Sequence, residues 1–197
     1  MPKGFYKDPD LNFDIKKMQS ALKEVDSRVA RQSPLGERDI NAICLTQVPG
    51  DPNSITGGNV RGLFWTKPDS TYEEVQREAP IDETKYSEFV KLFEDTYFKD
   101  VYDSIRNKYT IGRIRLLWKL PRTTLSWHRD PEPRLHIPIV SNYGARMCID
   151  DVVHHMPADG STWITDNTKY HNAFNGGEED RVHLVATVLD FDMAKFG

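Results

Sequence analysis

Cysteine is scarce in this 197-residue sequence: Cys44 and Cys148 are the only two, and neither sits in a CxxC or zinc-knuckle spacing. A disulfide framework and a thiolate metal cluster are both excluded, and free thiols are expected. No apolar run approaches the roughly 20 residues of a membrane span. The opening MPKGFYKDPDLNF lacks the apolar core of a signal peptide, so a cytoplasmic protein with no membrane partner is expected. No Lys/Arg cluster supplies the footprint that a phosphate backbone demands, and the net charge is −4, which argues against a nucleic-acid partner. Histidine is missing from the first 127 residues. All six (His128, His136, His154, His155, His171 and His183) fall in roughly the last third, and any imidazole chemistry belongs there.

What is present reads as one globular domain, 1–197, with 38% hydrophobic and 28% charged residues. Ile15, Met18, Leu22, Val25 and Val29 recur at spacings of three and four, which predicts an amphipathic helix over 14–30. Pro34 and Gly36 end it, and 42–48 reads as a buried strand. The Pro/Gly/Asn/Asp-rich stretch 49–62 is a long loop, GLFWTK a further strand. A second helix is predicted over 82–106 from the stripe Tyr86, Phe89, Val90, Phe93, Tyr97, Val101 and Ile105. From Ile111 the texture changes to short apolar runs (IRLLWKL, RLHIPIV, ARMCI, STWIT, KYHNAF, RVHLVATVLDF) separated by turn residues. That rhythm predicts a mainly β (α+β) fold, a sandwich, jelly roll or barrel, with flanking N-terminal helices. Residues 1–110 are then scaffold and part of the sheet, and 111–191 the β core.

The segment SWHRDPEPRLHIP, 126–138, contains the His-Arg-Asp of a protein-kinase catalytic loop. That reading fails. A kinase needs Asn five residues beyond the Asp, a preceding glycine-rich loop and a following DFG. Here Leu135 holds the Asn position, Pro131 follows Asp130, and neither other motif exists. A metal site fits better, because His128 and Asp130 are two apart and emerge on one face of a strand. A third ligand is His171. The turn residues Asn175, Gly176 and Gly177 suggest a hairpin in which His171 and Arg181, each five residues from Gly176, lie nearly opposite one another.

Two His and one Asp form the facial triad of non-haem iron(II) oxygenases, which leaves positions open for a bidentate co-substrate and O2. A zinc hydrolase uses the same ligand types, and Arg181 discriminates between the two. Zinc-bound water needs no fixed guanidinium, whereas a chelating dicarboxylate needs its far carboxylate held by two parallel charge-assisted hydrogen bonds.

Across roughly 113–190 the sequence resembles the Fe(II)- and 2-oxoglutarate-dependent dioxygenases, in particular the aspartyl/asparaginyl β-hydroxylase branch that includes proline cis-4-hydroxylases. The residues that carry the resemblance are Pro121 seven before His128, the Arg134-x-His136 pair on the next strand, then Gly160, Asp166, His171 and Arg181 ten beyond that His. The resemblance implies a double-stranded β-helix, a cupin-like jelly roll. It implies Fe(II) on His128, Asp130 and His171, the distal carboxylate of 2-oxoglutarate on Arg181, and Arg134 and His136 at the chelating end of that co-substrate. Strand parity agrees, since Arg134 and His136 share a face while Leu135 and Ile137 point the other way. A rim salt bridge for Arg134 and a core role for His136 compete with that assignment.

The implied activity is hydroxylation of an amino acid or amino-acid residue, Asp-, Asn- or Pro-like, with release of succinate and CO2. The alternative is a non-oxidative cupin-like metalloprotein or a ligand-binding jelly-roll module. Two departures stand out. The animal β-hydroxylases lack the acidic ligand that Asp130 provides here, and a serine that helps to hold the co-substrate in some members would fall near Leu117. Loop 49–62 with Arg122 and Trp127 is the expected selective wall. His183 is placed in the barrel interior, lining the pocket or packing. His154 and His155 are expected in a solvated turn, and Asp166 either stabilises a turn or orients a ligand His.

Overall fold

The computed structural model describes residues 1–32, 40–55, 62–77 and 81–197. In the first half of the chain the elements are strand β1 (Phe5–Asn12), helix α1 (Ile15–Arg28), strands β2 (Ile40–Cys44), β3 (Thr46–Gln47), β4 (Phe64–Thr66), β5 (Val75–Arg77) and β6 (Glu88–Phe89), and helix α2 (Tyr97–Arg106). The second half is strand up to a last 3-10 turn, Met193–Phe196: β7 (Ile111–Lys119), β8 (Thr123–Thr124), β9 (His128–Arg129), β10 (Arg134–Val140), β11 (Ala145–Ile149), β12 (Val152–His154), β13 (Ser161–Thr165), β14 (His171–Asn175) and β15 (Arg181–Val188).

Two antiparallel sheets make the body of the protein. The major sheet runs β1-β13-β10-β15-β7-β2, and the minor sheet runs β12-β11-β14-β9-β4-β5 with β8 paired to β14. This is the expected double-stranded β-helix. Period-two alternation divides the work of the major sheet. Ile114, Leu116 and Trp118 of β7, Leu135, Ile137 and Ile139 of β10, and Val182, Leu184, Ala186 and Val188 of β15 are buried in one apolar cluster with the helices. The intervening residues, Arg113, Arg115 and Lys119, Arg134 and His136, and Arg181 and His183, are buried and polar. They occupy the other face, toward the minor sheet.

Helix α1 forms as its pattern predicts. The Asp14 carboxylate caps it by accepting from the backbone N–H of Lys16 and Lys17, and Met18, Ala21, Leu22 and Val25 are buried. Each large apolar side chain so buried contributes about 1.5–3 kcal/mol. Strand 42–48 is broken in two. Residues 40–44 pair with β7, whereas Thr46 and Gln47 pair with Phe89 and Glu88 in a separate two-stranded ribbon.

The helix predicted over 82–106 exists only from Tyr97; residues before it form two 3-10 turns, Glu83–Lys85 and Lys91–Phe93, around β6. The apolar stripe is nonetheless buried at Tyr86, Phe89, Val90 and Phe93. Tertiary contacts override the periodicity. Glu83 is drawn to Arg113, 2.7 Å away, and the ladder of Thr46 and Gln47 takes up the backbone at Glu88 and Phe89. A continuous helix can satisfy neither.

The hairpin expected around Asn175–Gly177 is also absent. β14 pairs with β11, β8 and β9 in the minor sheet, and β15 pairs with β10 and β7 in the major sheet. The turn crosses from one sheet to the other, its Gly176 N–H donating to the Gly144 carbonyl (2.9 Å). His171 and Arg181 therefore do not share a strand-pair face. Neither cysteine forms a disulfide; Cys44 is buried and Cys148 half-buried. Among the described residues no helix is long and apolar enough to cross a membrane.

Candidate metal and dicarboxylate site

A cavity of about 150 Å³ lies between the sheets. His128, Asp130, His171, Arg134, His136 and Arg181 all line it. His171 and Arg181 thus meet across the cavity from different sheets, and the corrected topology leaves both at the same site.

His128 and His171 are direct register partners on β9 and β14, and their ring centroids are 4.3 Å apart. One ligand atom from each of His128, Asp130 and His171 lies within 4.8 Å of the others, the spacing of a shared cation. The tautomers suit a metal. His128 Nδ1 faces the Ser126 carbonyl at 2.6 Å and His171 Nδ1 faces the Lys169 carbonyl at 3.0 Å. A carbonyl only accepts, so each Nδ1 carries the proton and each Nε2 keeps its lone pair for a ligand role. Burial, then the adjacent His128, pushes His171 down to about 4, so its ring is neutral at physiological pH. Two imidazoles and one carboxylate, brought together by β14 and by β9 and the residue just after it, fit iron(II).

Asp130 is held from both sides. Its backbone N–H donates to the Asn167 carbonyl (2.8 Å), and Arg134 Nη2 lies 3.2 Å from its Oδ2. Arg134 also reaches Glu132 at 3.2 Å and Glu83 at 3.8 Å. It is buried, so it is no rim salt bridge. Burial alone would lower the Arg134 guanidinium, but Asp130, Glu83 and Glu132 together raise it. Glu83, itself buried, is raised by burial and lowered further by Arg134, Arg113 and Arg115 and by a hydroxyl bond from Thr187; the net result is a carboxylate held well below the usual range.

At the other end Arg181 Nη2 donates to His183 Nδ1 at 2.7 Å. A guanidinium has only donors, so His183 must present a lone pair there. His183 accordingly braces Arg181, and it is not among the cavity-lining residues. Burial pushes Arg181 down to about 10, and it stays cationic at neutral pH. Among the described residues no carboxylate lies within salt-bridge distance of Arg181, which leaves its fork directed at the cavity. His136 is pushed well below the ordinary histidine value by burial and then by Arg181. Its Nε2 is buried with no hydrogen-bond partner among the described residues.

Sequence reasoning missed Asn167, whose Nδ2 is 2.8 Å from His171 Nε2 and 3.5 Å from Asp130 Oδ2. Its one signal is position, four residues before His171. The neighbouring Asp166 instead accepts from the backbone N–H and hydroxyl of Thr168 and stabilises the turn. Lys119, Glu83 and Arg115 also line the cavity and were not anticipated. Leu117 lines it where a hydroxyl was sought. His154 is not in a solvated turn: it packs on the rings of Phe5 and Trp163, with centroids 5.0 and 4.8 Å away. His155 contacts the Ala145 carbonyl and stacks on Tyr143. Of the expected selective wall, residues 56–61 lie outside the described residues, and Gly62 lines the cavity. Arg122 is exposed and pairs with Glu178, while Trp127 stacks on Tyr170; neither lines the cavity.

A jelly roll carrying a His-Asp-His cluster and a buried, cavity-facing arginine has the form of a metal-dependent oxidoreductase. The sequence profile of the aspartyl/asparaginyl beta-hydroxylases matches residues 82–190, more than half of the chain. The protein belongs to this family, and it is a hydroxylase by class. No curated protein matches its sequence. Its fold is similar to that of an oxidoreductase of the 2OG-Fe(II) oxygenase family from Burkholderia pseudomallei, with 16% identity, TM-score 0.50, and 94% of this chain and 84% of that one covered. It is also similar to a Pseudomonas putida prolyl-4-hydroxylase, with 10% identity, TM-score 0.52, and 96% and 94% covered.

Proposed function

We propose that the protein is an Fe(II)- and 2-oxoglutarate-dependent dioxygenase that hydroxylates an amino acid or an amino-acid residue, Asp-, Asn- or Pro-like. In the overall reaction one oxygen atom of O2 enters a substrate C–H bond and the other enters succinate, with loss of CO2 from 2-oxoglutarate. The observation that carries the reading is one cavity holding the three converging ligands and, away from them, an Arg181 with no carboxylate partner among the described residues. When bound, iron supplies the chelation of the keto acid and the activation of O2.

The chain's own residues do the rest. His128 and His171 present Nε2 because their Nδ1 protons are committed to backbone carbonyls. Arg134 grips the Asp130 carboxylate, and the Asn167 carbonyl holds the Asp130 backbone N–H. Arg134 and His136 line the chelating end of the co-substrate, and Arg181, braced by His183, takes its distal carboxylate through parallel N–H donors. Phe64, Leu125, Met147 and Val185 line the same cavity and limit water around the reacting carbon.

The test is succinate formation under O2 with Fe(II) and 2-oxoglutarate, screened over free amino acids and peptides ending in or containing Asp, Asn and Pro. Succinate that rises with one of these candidates, and depends on iron, supports the reading. Protein that binds Fe(II) but never consumes 2-oxoglutarate is instead a non-oxidative cupin-like metalloprotein.

A further inference from the structure

We propose that Glu74 is a positioning residue of the metal site, an external staple that ties together the two chain segments carrying the ligands. The inference rests on the metal reading above and adds to it a residue outside the cavity. Arg129 Nε and Nη2 donate side-on to Glu74 Oε2 and Oε1, each at 2.6 Å. The Tyr170 hydroxyl donates to the same Oε2 at 2.8 Å. Arg129 stands between His128 and Asp130 in the chain, and Tyr170 directly before His171. One carboxylate thus holds a neighbour of every candidate ligand.

The ligand segments have little ladder of their own. β9 is two residues long, and it meets β14 at one register pair, His128 with His171. On its other side β9 pairs with β4, Trp65 opposite Arg129 and Thr66 opposite His128. Opposed residues share a face of the sheet, so His128 points inward with the buried Thr66, and Arg129 lies on the outer face with Trp65. There the Arg129 guanidinium sits over the Trp65 ring, 4.5 Å from its centroid, and Glu74, just before β5, closes on it. Tyr170 is braced in turn by the stacked ring of Trp127. A side-on guanidinium–carboxylate pair is directional. Rotation of β9 about its axis, which would carry His128 and Asp130 away from His171, therefore breaks both of its bonds. The side chains of Arg129 and Glu74 are 32% and 36% exposed, and pairs so exposed add little to global stability. The staple acts locally, on the convergence of the ligands.

The test is calorimetric titration of Co(II) into the apo full chain, with thermal unfolding of the same apo samples. Glu74→Ala is expected to weaken Co(II) binding about tenfold, as for other residues that orient ligands, while the apo Tm falls by no more than about 2–4 °C. Tyr170→Phe should weaken binding about threefold. The double variant should bind no worse than Glu74→Ala alone, because the tyrosine acts through the same carboxylate. Unchanged Co(II) affinity in Glu74→Ala overturns the proposal. So does a loss of affinity accompanied by a large fall in apo Tm, which would make Glu74 a prop of the fold, and so does full additivity in the double variant. A wild-type protein that binds no Co(II), or an Asp130→Ala variant that binds it equally well, overturns the metal reading itself.

Discussion

Arg134 Nη2 lies 3.2 Å from Asp130 Oδ2, so the guanidinium next to the candidate metal site grips a ligand rather than the rim of the barrel. Replacing it has two opposed effects. Loss of a cation reduces repulsion of the metal, but Glu83 and Glu132 already offset much of that charge. Loss of the grip leaves Asp130 free to rotate away, and this effect dominates. Arg134→Met should weaken Mn(II) or Co(II) binding about tenfold, within the range usual for residues that orient ligands. Arg134→Lys should recover part of it. Isothermal titration of the metal into apo protein checks both, and unchanged affinity in Arg134→Met would show that Asp130 is held by the backbone alone.

Arg181 and Asp130 should fail differently. Asp130→Ala removes a ligand and is expected to abolish iron-dependent turnover together with tight metal binding. Arg181→Ala should leave the metal in place and raise the apparent KM for 2-oxoglutarate about 100-fold or more. Equal metal loss in the two variants would mean that Arg181 supports the ligands instead of the co-substrate.

How far the sequence disclosed this site depends on range. Arg134 with His136 was readable because a spacing of two on a strand fixes a shared face; the same spacing pointed to His128 with Asp130, although β9 ends at Arg129 and Asp130 lies just beyond it. His171 and Arg181 were identified by motif, but their relation was misread. Asn175-Gly176-Gly177 looks like a hairpin turn, yet Asn175 bonds to the Lys119 and Glu179 carbonyls and Gly176 to Gly144. Only those distant partners send the two strands into different sheets. The stripe from Tyr86 to Ile105 reported burial correctly and conformation wrongly at its first half, since Glu83 answers to Arg113 thirty residues away. Lys119 left a signal that went unused: Arg113, Arg115 and Lys119 alternate with apolar residues along one strand, a row of cations on a face that has to look into the protein.

Acid stability should report on Asp8, far from the cavity. Its buried carboxylate accepts from Lys108 (2.6 Å), from the Tyr109 hydroxyl and from the Asp10 backbone N–H (2.9 Å). Burial raises the carboxyl, and those three donors together outweigh it, so the folded value falls below the ordinary 3.8. A group lowered in the folded state contributes stability above its unfolded value and loses it as pH falls through the folded one. Asp8→Asn should cost about 1–3 kcal/mol at pH 7. That deficit should shrink below pH 3.8, as read from urea midpoints at pH 7, 4 and 3. A deficit constant across those values would contradict the assignment.

Gly160 tests the junction between the helical layer and the β-helix. Its φ is +87°, and an added Cβ would stand 2.0 Å from the Phe13 carbonyl oxygen. That carbonyl is backbone and has no room to yield, because the neighbouring Phe13 N–H donates to the Gly160 carbonyl (2.9 Å). Gly160→Ala should cost at least about 2 kcal/mol and lower Tm by about 4–8 °C. Thermal unfolding with no change in Tm would show that the turn adapts.

The claim that matters most is that one cavity takes a metal at His128, Asp130 and His171 and a dicarboxylate between that metal and Arg181. Anaerobic addition of 2-oxoglutarate to the Fe(II)-loaded protein tests it directly, since chelation of ferrous iron by a keto acid produces a visible charge-transfer absorption. The wild type should develop the band to saturation at one equivalent per chain, Arg181→Ala only at far higher 2-oxoglutarate, and Asp130→Ala not at all. A wild-type protein that shows no band at any concentration, or an Asp130→Ala variant that matches it, would contradict the account.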